Sequence, residues 1–189
     1  MENKVENIIN SVFPISEQSF GEIEKLLEYE NYQKGESFVL RNKQNKKEYF
    51  VLSGICKSYL INPEGEEITI DFFMENKIIS PHSTRTSGNI SSYYFKALTN
   101  IELATINASE FERLMIENIE IRNFGNAVLQ NELKSKIEKE IGLASLSARE
   151  RLIEFREKYK GLENLIPHTD IASYLGITNI SLSRLRKDV

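Results

Sequence analysis

The chain has 189 residues, 40% of them hydrophobic and 28% charged, with a formal net charge of −4. That is globular composition, and it excludes a global basic field that would draw the whole molecule to nucleic acid. One cysteine, Cys56, excludes an intramolecular disulfide and a cysteine-held iron–sulfur cluster, and two histidines, His82 and His168, make a zinc site hard to assemble.

Residues 1 to 30 place Phe20, Ile23, Leu26 and Leu27 at spacings of three and four, which is one apolar face of a helix. Ser16, Ser19 and Glu22 supply capping chemistry near its start. The N-terminal MENKVENIINSVF lacks a long apolar run, and no stretch reaches membrane-spanning length, so a cytoplasmic protein with no membrane partner is expected.

From residue 31 to about 106 the period changes. Tyr49-Phe50-Val51-Leu52 ends at Ser53-Gly54, ICKSYLI ends at Asn62-Pro63-Glu64-Gly65, and EEITIDFF follows. Short β-branched and aromatic runs cut by Gly and Pro predict antiparallel strands. Further strands are predicted around Ser37–Leu40, Tyr93–Ala97 and Glu102–Ile106, which together indicate a sandwich or barrel. Cys56 lies inside this apolar run and is expected to be a buried packing residue. The segment from Ser80 to Ser92 is polar and loop-like.

From Ser109 the chain turns helical. Ile121, Phe124, Val128, Leu129, Leu133 and Ile137, continued by Ile141, form a narrow apolar stripe that drifts around a long helix. A stripe of that width predicts the seam of a two-helix contact, and hence a homodimer. Residues 143–147 are expected to hinge. A further helix, from Ala148 to Tyr159, ends near Gly161 with Leu152 and Phe155 facing inward. Residues 145 to 189 hold eight Lys/Arg against six Asp/Glu, so a small positive tail follows an acidic body.

The segment IASYLGITNISLSRLRK, residues 171 to 187, completes the pattern. Thr169 or Asp170 is expected to cap a short helix from Ile171 to Leu175. Gly176 permits a left-handed turn, and Thr178 caps a second helix from about Asn179 to Lys187. Ile171, Leu175, Ile177, Leu182 and Leu185 are spaced to meet between the two helices, and Ala172 is small where they cross. These are the offsets of a helix-turn-helix. Asn179, Ile180, Ser183, Arg184 and Lys187 are then left toward solvent. Arg184 suits a bidentate pair with guanine, Asn179 an adenine or a phosphate, and Ile180 a thymine methyl. Arg186 and Lys187 suit backbone phosphates, and the Thr178 and Ser181 hydroxyls sit at a helix N-terminus, where a phosphate is favoured.

Across nearly its whole length the chain is similar to the Crp/Fnr family of bacterial transcription regulators. The resemblance rests on Lys34-Gly35-Glu36, Tyr49-Phe50-Val51-Leu52-Ser53-Gly54, Asn62-Pro63-Glu64-Gly65, Ala97-Leu98-Thr99 and Ile171-Ala172-Ser173-Tyr174-Leu175-Gly176-Ile177-Thr178. The ending looks most like the branch found in Bacteroidetes-type bacteria. The resemblance implies an α+β architecture: an N-terminal β jelly roll of the cyclic-nucleotide-binding type over residues 1–115, a dimerisation helix over 116–144, and a helix-turn-helix domain over 145–189.

Family members that bind cyclic AMP place a Gly-Glu near the start of a phosphate-binding cassette and an Arg-Ser or Arg-Thr before the Ala at its end. Counted back from Ala97-Leu98-Thr99, the latter positions fall on Ser91-Ser92, and the arginine is absent. Glu75-Asn76-Lys77 stands where Gly-Glu is expected. A buried phosphate without a cation is poorly compensated, with Lys77 or Arg85 the available substitutes. The candidate effector pocket is therefore Glu75, Asn76, Lys77, Arg85, Ser91 and Ser92, degenerate for cyclic AMP. His82 is the one candidate axial ligand for a haem, in a polar loop.

The expected function is sequence-specific binding of double-stranded DNA by a homodimer at a palindromic site. No cofactor, no metal and no enzymatic activity are expected, since two histidines cannot furnish a cupin-type metal site and no GxSxG, P-loop or HExxH occurs. An activating role would add RNA polymerase as a partner, and the identity of any small-molecule effector stays open. The alternative is a small-molecule binding protein whose helix-turn-helix is vestigial.

Overall fold

The run YFVL sits in the centre of a four-stranded antiparallel sheet. The computed structural model describes residues 4–84 and 88–188. In chain order the elements are α1 (Lys4–Val12), α2 (Glu17–Glu24), β1 (Glu28–Tyr32), β2 (Ser37–Val39), β3 (Lys47–Ser53), β4 (Cys56–Ile61), β5 (Glu67–Phe73), β6 (Lys77–Ile79), α3 (Pro81–Thr84), β7 (Tyr94–Ala97), β8 (Ile101–Asn107), α4 (Ala108–Glu117), α5 (Ile119–Ser145), α6 (Ala148–Lys158), a 3-10 turn (Leu162–Asn164), α7 (His168–Leu175) and α8 (Asn179–Asp188). One sheet has the order β1-β8-β3-β6 and the other β2-β7-β4-β5, the two faces of a jelly roll. No helix among the described residues is long and apolar enough to cross a membrane.

The chain divides into two compact units, residues 1–58 with 72–133 and residues 59–71 with 134–189. In the first, β3 is buried on both faces. Tyr49 and Val51 join Val39, Cys56, Phe73, Ile79, Phe95 and Leu103 in one apolar cluster. Phe50 and Leu52 point the other way, into a cluster with Val5, Ile8, Phe20, Ile23, Phe111, Ile121 and Phe124 from the flanking helices. A strand covered on both sides needs apolar residues at consecutive positions, which is why YFVL shows no alternation. Cys56 is fully buried, as its setting predicts.

The β3–β4 turn depends on Gly54, at φ +86°; a Cβ there would lie 2.3 Å from the Asn100 carbonyl oxygen. At the far end of β4 the predicted turn closes with the Gly65 amide donating to the Asn62 carbonyl at 3.0 Å.

The first thirty residues are not all helical. α2 ends at Glu24, and Glu28 to Tyr32 pair with β8 in the register Glu28↔Thr105 to Tyr32↔Ile101. That segment, EYENY, is an edge strand with mostly exposed side chains, so it carries no apolar alternation. Strand β6, three residues long, was likewise unmarked by any run. Ser16 caps α2 as expected, accepting from the Ser19 amide, and Glu120 at the start of α5 accepts from the Ser16 hydroxyl at 2.6 Å. Hydroxyl bonds from Ser16 and Ser19 hold the Glu120 carboxyl down to about 2.

In the second unit, α6 is capped by Ser147 and Glu150 in a reciprocal capping box, and it ends before Gly161 at φ +80°. Leu152 and Phe155 are buried, as are Leu162, Ile171, Ala172, Leu175 and Leu182. Phe155, Tyr159 and Tyr174 form an aromatic triad with ring centroids 5.2 to 5.7 Å apart.

Candidate nucleic-acid interface

The helix-turn-helix is built as its offsets require, except at its entrance. Helix α7 begins at His168, three residues before the expected start, and follows Pro167, so neither Thr169 nor Asp170 caps it. Pro167 stands at the N-cap with extended backbone, and its carbonyl accepts from the Asp170 amide at 3.1 Å. Gly176 takes the left-handed conformation (φ 67°), and the Ile177 amide donates to the Ala172 carbonyl at 3.0 Å to close the turn. Thr178 caps α8, its hydroxyl accepting from the Ser181 amide at 3.1 Å. Leu182 is buried, whereas Leu185 is only half-buried. Arg151 braces the turn from α6, donating to the Leu175 carbonyl at 2.9 Å and to the Leu146 carbonyl at 2.7 Å.

Asn179, Ile180, Ser183, Arg184 and Lys187 are all exposed, and their spacing puts them on one side of α8. Ile180 is 67% exposed, an apolar side chain left in water between polar neighbours. Helix α8 has no acidic residue in its first turn and has Arg186 and Lys187 in its last.

Two of the expected contacts are otherwise engaged. Arg186 is turned away from that face: its Nε lies 2.6 Å from Glu163 Oε1, and its Nη1 is 3.1 Å from His168 Nδ1. The carboxylate provides a stronger partner than solvent, so Arg186 is not a ready phosphate ligand in this state. The Thr178 and Ser181 hydroxyls are bonded to each other at 2.9 Å, within the cap.

The stripe on α5 divides in two. Ile121, Phe124 and Val128 are buried in the first unit's own core, so they are no seam for a partner; α1, α2 and α4 supply the apolar surface that covers them. Leu129, Leu133, Ile137 and Ile141 are 41%, 61%, 46% and 58% exposed. A spacing of four advances about 40° per step around a helix with 3.6 residues per turn, so this exposed row winds slowly along α5.

Among the described residues, the candidate effector positions lead into strands of two different sheets, β6 and β7. Glu75 is paired with Lys4 at 3.6 Å, Glu75 and Asn76 (φ 65°) form the turn into β6, which begins at Lys77, and the Asn76 amide donates to the Val51 carbonyl at 2.9 Å. These are structural contacts of a tight turn. Ser91 is fully buried and its hydroxyl donates to the Tyr93 carbonyl at 2.8 Å, leading into β7 in the other sheet; Ser92 is half-buried. Arg85 lies outside the described residues, and His82 falls in the short helix α3.

Residues distant in sequence build two polar clusters that no motif announced. In the first, Tyr159 donates to Asp71, Lys139 donates to the Ile70 carbonyl, and the Lys139 ammonium sits 3.9 Å from the Tyr174 ring centroid. The Thr69 amide donates to Ser173 Oγ at 2.9 Å beside them. Burial pushes the Tyr159 phenol well above its ordinary value and draws the Lys139 ammonium down to about 8. Next to this cluster, Ser135, Glu138, Lys139, Gly142, Arg151 and Glu154 help line a groove of about 630 Å³. The second cluster centres on Glu163. Eighty-eight residues separate Asp71 from Tyr159, so nothing local could mark the first pair.

Residues 29–118 match the cyclic nucleotide-binding domain family. The chain is 24% identical over 185 residues to the regulatory protein HlyX of Actinobacillus pleuropneumoniae, spanning 92% of this chain and 76% of that protein. Its fold is similar to that of FixK2 from Bradyrhizobium japonicum, at 19% identity and a TM-score of 0.75, over 86% of this chain and 83% of that one. It is also similar to that of a transcriptional regulator of the Crp/Fnr family from Eubacterium rectale, at 18% identity and a TM-score of 0.72, over 92% and 82% of the two chains. With the jelly roll, the long helix and the helix-turn-helix in one order along one chain, this protein shares the fold of these regulators.

Proposed function

We propose that the protein is a transcriptional regulator that binds DNA as a homodimer at a palindromic site. The observation that carries this is the exposed face of α8, where Asn179, Ile180, Ser183, Arg184 and Lys187 lie together at the end of a braced helix-turn-helix. Arg184 offers two parallel donors for a guanine, Ile180 a methyl contact, and Asn179 an amide for an adenine or a phosphate. Lys187 serves the backbone, and with it the N-terminus of α8. The exposed row Leu129, Leu133, Ile137 and Ile141 is the surface on which a second copy would seat, giving two recognition helices about 34 Å apart on successive major grooves. That HlyX is named a regulatory protein, and the Eubacterium rectale protein a transcriptional regulator, supports the reading.

The match of residues 29–118 to a cyclic nucleotide-binding domain favours a second reading, a ligand-binding protein with a vestigial helix-turn-helix. Against cyclic AMP as that ligand stand the serines at 91 and 92 and the use of the Ser91 hydroxyl by the Tyr93 carbonyl. An effector of other chemistry would act by resetting the helix-turn-helix pair, and an activator would further touch RNA polymerase.

The test is selection of duplexes from a random pool, followed by binding of the wild type and Arg184→Ala to the winning site and to single-base variants of it. Loss of Arg184 should cost about 1–3 kcal/mol and relax preference at one position in each half-site. Equal affinity and equal selectivity would remove Arg184 from base readout.

A further inference from the structure

The side chain of Glu163, on the 3-10 turn, is 13% exposed and gathers two guanidinium groups. Its Oε2 accepts from Arg156 Nε at 2.7 Å, and its Oε1 accepts from Arg156 Nη2 at 3.2 Å. The same Oε1 lies 2.6 Å from Arg186 Nε, and Arg186 Nη1 stands 3.1 Å from His168 Nδ1. One carboxylate thus binds an arginine of α6 and an arginine of α8. Both cations act on Glu163, holding its carboxyl below the usual carboxylate range, with Arg156 the larger cause. Arg186 stands two positions after Arg184 and one before Lys187, so it sits at the edge of the exposed face without belonging to it.

Resting on the DNA-binding reading above, we propose that Glu163 positions Arg186 and sets how many phosphates the protein engages. The carboxylate competes with DNA phosphate for the same guanidinium, since both present a pair of anionic oxygens to its fork of donors. While Glu163 holds Arg186, the recognition helix is pinned through its last turn to α6, and one cation is withheld from the backbone. Glu163 is a positioning residue: it touches no base and no phosphate.

The test separates this from a merely structural role, because loosening α8 would weaken binding without steepening its salt dependence. Glu163→Gln keeps the shape and one acceptor but removes the charge. Each phosphate contact contributes about −0.9 to the slope of log K against log salt. Glu163→Gln should therefore steepen the slope by about one, so that its affinity relative to wild type grows about threefold between about 200 and 50 mM salt. Arg186→Ala alone should leave the slope as in wild type, and Glu163→Gln with Arg186→Ala should return to it. If Glu163→Gln fails to fold, Arg186→Ala still decides: a shallower slope means that Arg186 already meets phosphate, and overturns the proposal. An unchanged slope in folded Glu163→Gln overturns it as well. A wild type that binds no duplex would remove the DNA-binding reading itself, whereas normal wild-type binding with either contrary slope removes this inference alone.

Discussion

Replacing Lys139 with methionine should change how stability depends on pH. The Lys139 ammonium is desolvated between α5 and the end of β5, and burial lowers it from its ordinary 10.5 to about 8. Asp71 acts in the opposite sense, and Lys158 and Lys136 add to the lowering. Between those two values the unfolded chain holds a proton that the folded chain has released, so wild-type stability rises with pH over that window. The full displacement corresponds to about 3 kcal/mol. Lys139 is half-buried, and solvent screening reduces the expected figure to about 1–2 kcal/mol. The Tyr159 and Tyr174 phenols are both raised above their ordinary value, chiefly by burial, and so titrate outside the window. Urea denaturation of wild type and Lys139→Met at intervals from about pH 7 to 10 isolates the effect, because other groups cancel in the difference. Wild type should gain on the variant by about 1–2 kcal/mol as pH rises through that interval. A difference that stays constant across it would refute the desolvated-ammonium reasoning.

Two further perturbations follow. Gly54→Ala places a Cβ 2.3 Å from the Asn100 carbonyl oxygen at a positive φ, with backbone rather than a flexible side chain in the way. It should destabilise by about 3 kcal/mol or more and lower the melting temperature by roughly 10 °C; a melt within about one degree of wild type would contradict the close approach. Leu133→Glu and Ile137→Glu change side chains that are 61% and 46% exposed, so the fold should melt as wild type does. Under the proposed dimer, sedimentation should show two chains together for wild type and single chains for the variants, and intact dimers of the variants would move the interface off this row.

Physical reasons separate what was legible in the sequence from what was not. Strand β3 stood out because both of its faces are buried and its residues are apolar in succession. Strand β1, at a sheet edge, buries too little to leave a pattern. The turn of the helix-turn-helix was legible because Gly176 and Thr178 each have one local job, and the face of α8 followed from that turn. The α5 stripe misled in part: periodicity finds an apolar row but cannot say whether the covering surface belongs to the same chain. Ile121, Phe124 and Val128 are covered by their own unit, and Leu129 onward are not. Spacing alone puts Arg186 among the phosphate ligands, because its pairing with Glu163 joins separate elements and has no signature in sequence.

The most direct measurement is the mass of the complex on a selected palindromic duplex, by sedimentation at two salt concentrations. Two chains per duplex, bound far more tightly than to a single half-site and weakening steeply with salt, is the expected result. One chain per duplex, or equal binding to palindrome and half-site, would contradict a paired recognition unit.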